Sequence, residues 1–196
     1  MRIEKFEVYQ VAMPLIYPWR TAYGEDPEIH SVLVKATSGN HTAWSESSPL
    51  YAPMYLPESA GSVFYNVSEF FAPFILNHEF ESAEQINQKL SIFKGNTFAK
   101  AALEICWWTL QSKITKTPLH KLLGGKSKEV QAGADFGIQD SIDMLLGNIQ
   151  KAVDAGFPRV KLKVSRGWDL DVLKAVRSTF PDLILHIDCN GGYSLE

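Results

Sequence analysis

From Val130 to Asp188 the sequence alternates short β-branched segments with helix-period segments, leaving little chain between them, and this restricts the fold more than any other feature. Val130 to Gln139 predicts a strand. Asp140 is placed to cap a helix with apolar residues at Ile142, Leu145, Leu146, Ile149 and Val153, which Gly156 and Pro158 end. Arg159 to Val164 predicts a second strand, Trp168 to Phe180 a second helix broken at Pro181-Asp182, and Leu183 to Asp188 a third strand. Strands joined through a helix run parallel, so β-α-β-α-β implies an α/β sheet or barrel.

The preceding chain has a different pattern. Residues 2 to 12, 30 to 37 and 41 to 47 read as strands of an antiparallel meander, with a turn at Ser38-Gly39-Asn40. Two stretches, Pro14 to Glu28 and Pro49 to Pro57, read as long irregular loops, and aromatic-rich loops of that length are expected to be lids over a site. Ser82-Ala-Glu-Gln85 fits a capping box opening a helix to Phe93, which Lys94-Gly95-Asn96 closes. From Thr97, apolar residues at Ala99, Ala102, Leu103, Cys106, Trp107, Leu110 and Ile114 form one helical face, the spacing of a core stripe. A short apolar segment from Pro118 to Leu123 ends at Gly124-Gly125, and the charged run Lys126 to Glu129 marks an expected boundary between domains 1–125 and 126–196.

With 45% hydrophobic residues the chain is able to bury a core, and 19 basic against 22 acidic residues, without long single-sign runs, argue against a nucleic-acid partner. No apolar stretch approaches a membrane span, and the first ten residues interleave charge with apolar positions, so a cytoplasmic protein is expected. Cys106 and Cys189 are poor material for a disulfide framework and read as buried thiols.

In Val160-Lys-Leu-Lys-Val164 the two lysines project from one face and the three apolar residues from the other. The apolar face must meet the helices, so both ammonium groups face the other side of the sheet, where an anion is needed. In the next strand Asp188 and Asn190 share a face at the carboxyl end, the end at which barrels carry catalytic groups, with His186 one layer below as a packed interior residue. Asp188 offers a hard oxygen suited to Mg²⁺. A plain salt bridge to one of the lysines satisfies the same spacing, and spacing alone does not choose between them.

A meander and helical domain followed by a barrel opening with Lys161-x-Lys163 and Asp188-x-Asn190 resembles the enolase superfamily, in its muconate-cycloisomerase-like subgroup. The segments Glu46-Ser-Ser-Pro-Leu-Tyr-Ala-Pro53, Phe93 to Glu104, Gly137-Ile-Gln139 and Val160 to Lys163 are similar to o-succinylbenzoate synthases and N-acylamino acid racemases. The resemblance implies an α+β N-terminal capping domain followed by the first three strands of a TIM-type (β/α) barrel, incomplete in this chain. It implies a lyase or isomerase that removes a proton α to the carboxylate of a small-molecule substrate through an enediolate, with Mg²⁺ or Mn²⁺ as cofactor. O-succinylbenzoate synthase, the dehydration step of menaquinone synthesis, is the leading reading, and an N-acylamino acid racemase or related cycloisomerase or epimerase is the alternative. Lys163 becomes the general base, Lys161 its electrostatic neighbour that helps it shed a proton, and Asp188 the first of three metal ligands, while Asn190, Arg20 and Gln139 become substrate-binding or supporting residues. Arg20 also reads as an ordinary solvated loop cation.

The family's barrel needs about five further strands carrying two more acidic ligands and a second lysine, and Gly191-Gly192 stands where the subgroup more often has residues such as Ser and Ala. Three barrel strands leave an open edge, so the chain alone is expected to be inactive and to associate, with copies of itself or with a C-terminal part. A non-catalytic association module is the reading of another class.

Overall fold

The computed structural model describes residues 1–127 and 129–195; Lys128, within the predicted boundary run, lies outside the described residues. The chain divides into two compact units, Met1–Pro14 with Glu28–Lys126, and Leu15–Pro27 with Ser127–Glu196.

The first strands are β1 (Lys5–Thr21), β2 (Gly24–Ser38) and β3 (His41–Ser47), in sheet order β1-β2-β3. β2 and β3 pair antiparallel from Val32 with Ser47 to Ser38 with His41, closing on Gly39 at φ 54°. The stretch from Pro14 to Glu28 is therefore no irregular loop: all but Ala22 and Tyr23 lies in strand. The proline and glycine content suggested a break, but Pro14 and Pro18 sit in β1, where a strand paired on one side tolerates them.

In the first unit Val32, Val34, Ala36 and Ala43 turn the buried face of the sheet toward α4 (Thr97–Thr115), whose Ala99, Ala102, Leu103, Cys106, Trp107 and Leu110 form the predicted stripe. Burying each of its leucines contributes about 1.5–3 kcal/mol. Residues 58 to 80 carried no sequence prediction. Here Ser59 caps α1 (Ala60–Asn66) in a reciprocal box with Ser62, and the helix continues through one π turn, Val67–Phe71, into α2 (Ala72–Ile75). Pro73 explains the widened turn, because its ring crowds the carbonyl four residues back and it has no N–H to donate there. α3 (Ala83–Leu90) forms neither half of its expected box: the Ser82 hydroxyl makes no cap bond, and Gln85 Oε1 accepts not from the N-cap residue but from Glu81 N at 2.8 Å. The stretch from Pro49 to Pro57 is irregular as expected, and Ala60 N donates to Leu50 O at 3.0 Å across its base. α5 (Leu119–Leu122) follows.

The second unit contains β4 (Ala134–Phe136), α6 (Ile142–Asp154), β5 (Arg159–Lys163), α7 (Leu170–Thr179) and β6 (Ile184–Asp188). The strands are parallel in order β4-β5-β6, so the predicted β-α-β-α-β architecture is present, three strands that do not close a barrel. β4 is far shorter than the predicted ten residues. α6 is capped by Ser141, whose hydroxyl accepts from Met144 N at 3.1 Å, and not by Asp140, which is drawn instead to Arg20. Leu145, Ile149, Val160, Leu162, Val172 and Val176 make the core of this unit. Among the described residues no helix is long and apolar enough to cross a membrane.

Candidate active site

Strand alternation on β5 works as its sequence implies. Val160, Leu162 and Val164 are buried beneath the helices, and Lys161 and Lys163 emerge on the opposite face. Parallel register then sets Lys163 beside Asp188 of β6, and Lys161 beside Asp135 of β4. Lys163 Nζ donates to Asp188 Oδ2 at 2.8 Å and to Asn190 Oδ1 at 2.9 Å, which satisfies an ammonium on a residue only 8% exposed. Lys161 Nζ lies 3.5 Å from the same Asp188 oxygen and 2.9 Å from Asp135 Oδ2.

These contacts set the charges. The Lys163 hydrogen bond, helped by Asn190 N donating to Asp188 Oδ1 at 3.0 Å, pulls the Asp188 carboxyl down to about 2. The hydrogen bond to Asp135 is the main cause that raises Lys161, so this lysine keeps its charge beside Lys163. Sequence reading missed Asp135. The signal was present, since Asp135 lies on the β4 position opposite Lys161, but the expected ten-residue strand gave no register.

Of the remaining candidates, Asn190 joins the cluster directly, in a turn at φ 46°. Gln139 does not reach the lysines: it donates to Gly137 O at 3.1 Å and accepts from Asn148 at 3.1 Å. Arg20 is paired with Glu25 at 2.7 Å and with Asp140, so its guanidinium already has two carboxylates. Both line a cleft of about 440 Å³ together with Trp19, Asp135 and Phe136, and Asp135 is the residue that this cleft and the lysine pair share. His186 is exposed, not the packed interior residue expected, because the described strands leave nothing over its face. Of the two thiols expected to be buried, Cys106 is buried and Cys189 only partly so.

Asp188 suits a hard cation as a single carboxylate ligand. Among the described residues no group of three or more His, Cys, Asp or Glu side chains gathers to hold a metal.

Comparison with known proteins places these features. Residues 3–124 match the family model of the mandelate racemase / muconate lactonizing enzyme N-terminal domain. The N-succinylamino acid racemase of Thermus thermophilus is 33% identical over 195 residues, covering 100% of this chain and 53% of that protein. The o-succinylbenzoate synthase of Geobacillus kaustophilus is 32% identical, covering 100% and 52%. A crystal structure of an enolase superfamily member from Listeria innocua superposes with a TM-score of 0.90 at 29% identity, covering 99% of this chain and 53% of that one. The chain thus spans about half the length of the curated relatives it matches, and those relatives are enzymes. It belongs to the mandelate racemase / muconate lactonizing enzyme family of the enolase superfamily, of which it carries the N-terminal portion.

Proposed function

We propose that the whole protein removes a proton α to the carboxylate of a small organic acid, as an o-succinylbenzoate synthase, with Lys163 as the base. The observation that carries this reading is the convergence of Lys163 and Lys161 on one oxygen of Asp188, at 2.8 and 3.5 Å, at the carboxyl ends of adjacent parallel strands. Lys163 Nζ, an ammonium where it donates to Asp188 and Asn190, gives one proton to solvent and as the neutral amine accepts the substrate proton. Lys161, tied to Asp135, keeps its charge and acts as a fixed electrostatic neighbour to the developing enediolate. Asn190 orients Asp188 through its backbone N–H. Asp188 is the residue of this chain that would hold Mg²⁺ or Mn²⁺, and the ion would supply concentrated positive charge beside the substrate carboxylate.

Racemisation of an N-acylamino acid shares this first step, and relatives of about equal identity carry both names. The full-length protein assayed for both reactions in deuterated buffer decides: dehydration, which leaves no hydrogen on the α-carbon, is read as turnover and is expected, whereas racemisation would place deuterium on that carbon. Absence of both turnover and exchange overturns the reading. The 196 residues by themselves are expected to be inactive and to associate, because they hold one side of the site.

A further inference from the structure

The sequence has seven asparagines, and only Asn190 precedes a glycine. That Asn-Gly pair occupies the turn after β6. We propose that Asn190 deamidates spontaneously in the folded protein, assisted by Lys163, and that this turn is a modification site placed directly on the lysine cluster.

Three features carry the inference. First, Asn190 and Gly191 both have positive φ, 46° and 71°, in a turn closed by Gly192 N donating to Cys189 O at 2.8 Å. Second, Gly191 is exposed, has no Cβ, and nothing lies within 4 Å of where one would stand, so no side chain crowds the turn on that side. Third, the Lys163 ammonium donates to Asn190 Oδ1 at 2.9 Å. A cationic donor on an amide oxygen draws electron density from the attached carbon and stabilises the negative charge that builds on that oxygen during attack, as donors do in an oxyanion hole.

The balance is simple. The Gly191 nitrogen attacks Asn190 Cγ, forming an N–Cγ bond as the Cγ–Nδ2 bond breaks, and the leaving nitrogen departs as ammonia with the proton that Gly191 gives up. One water then opens the resulting succinimide at either of its two carbonyls, giving aspartate or isoaspartate at position 190. Nothing is oxidised or reduced. The product sets a second carboxylate beside Asp188, against an ammonium now 2.8 and 2.9 Å from its two acceptors. The chemistry depends on the turn and on the Lys163 contact, and stands whether or not Lys163 serves as a base in the proposed reaction.

The test is a time course of the full-length protein held at mildly alkaline pH, folded and in urea, with peptide mapping by mass spectrometry. The gain of about one dalton and enzymatic methylation of isoaspartate report the product. An Asn190→Asp variant serves as the charge standard on ion exchange. In the folded protein Asn190 is expected to convert about tenfold faster than any of the other asparagines. Lys163→Met should slow it in the folded state and leave the rate in urea unchanged. Conversion at Asn190 that is no faster than elsewhere when folded, or that appears only in urea, overturns the proposal. An unchanged folded rate in Lys163→Met overturns the assistance by Lys163. None of these readouts uses turnover.

Discussion

Glu58 makes a quantitative test of how the first unit is held together. It lies just before α1, yet its carboxylate accepts from Thr97 Oγ1 at 3.2 Å, Phe98 N at 2.9 Å and Ala99 N at 3.1 Å, at the start of α4. Asn96, the residue in the N-cap position, is left-handed at φ 55° and makes no side-chain cap bond. Glu58, 8% exposed, therefore caps the helix from a distance in sequence. Glu58→Ala leaves the Ala99 N–H unpaired at a fully buried residue, at about 1–3 kcal/mol. Phe98 is part-exposed and regains water, so its N–H adds less; loss of a carboxylate at a helix N-terminus adds about 0.3–1 kcal/mol. The total is about 3 kcal/mol. Glu58→Gln keeps one acceptor but presents an NH₂ to the second backbone donor, and should cost about half as much. Hydrogen exchange in the full-length protein reads the effect at the Phe98 and Ala99 amides, where the opening free energy should fall by these amounts. A folded Glu58→Ala protein with exchange at those amides changed by less than about 0.5 kcal/mol would refute the capping account.

Other outcomes follow from the same geometry. Lys163→Ala in the full-length protein should lower kcat by about a thousandfold or more with little change in substrate binding, while Lys161→Ala costs less; near wild-type kcat in the first variant removes Lys163 from its role. Asp188→Asn should raise the Mg²⁺ concentration needed for half-maximal activity by about a hundredfold, and an unchanged titration returns Asp188 to a plain ion pair. Burial pushes the Cys106 thiol from 9.0 up to about 11. Below pH 9 both folded and unfolded thiols are protonated, so this contribution is intact there. Between pH 9 and about 11 only the unfolded thiol ionises, and stability falls by about 1.4 kcal/mol per pH unit. Cys106→Ala should lack that slope in chemical denaturation measured against the wild type, and an identical slope in both refutes the buried-thiol origin.

What local pattern encodes was legible without coordinates. Helical periodicity marked the α4 stripe from Ala99 to Leu110, and strand alternation put Lys161 and Lys163 on the face away from Val160 and Leu162, because these periods follow from backbone geometry that every residue in an element shares. The order of strands and helices after Val130 was enough for a parallel sheet. Residues 58 to 80 were not legible, since the π turn before Pro73 disturbs the period on which a helix is recognised. The hairpin from Pro14 to Glu28 was hidden for a similar reason: its prolines signal a loop, and only pairing with a neighbouring strand keeps the chain extended.

The sequence by itself determined the element types of the α4 stripe and of the chain after Val130, the lysine face and the family pattern at Asp188-x-Asn190. Tertiary structure decided which charges meet. That Asp188 serves both lysines, that Asp135 claims Lys161, that Arg20 is taken by Glu25 and Asp140, and that Glu58 caps a helix about 40 residues away are matters of register and packing. The physical reason is range. Periodicity acts over a few bonds and is written in neighbouring residues, whereas an ion pair or a cap depends on distances of a few ångströms between residues whose separation along the chain says nothing about their separation in space.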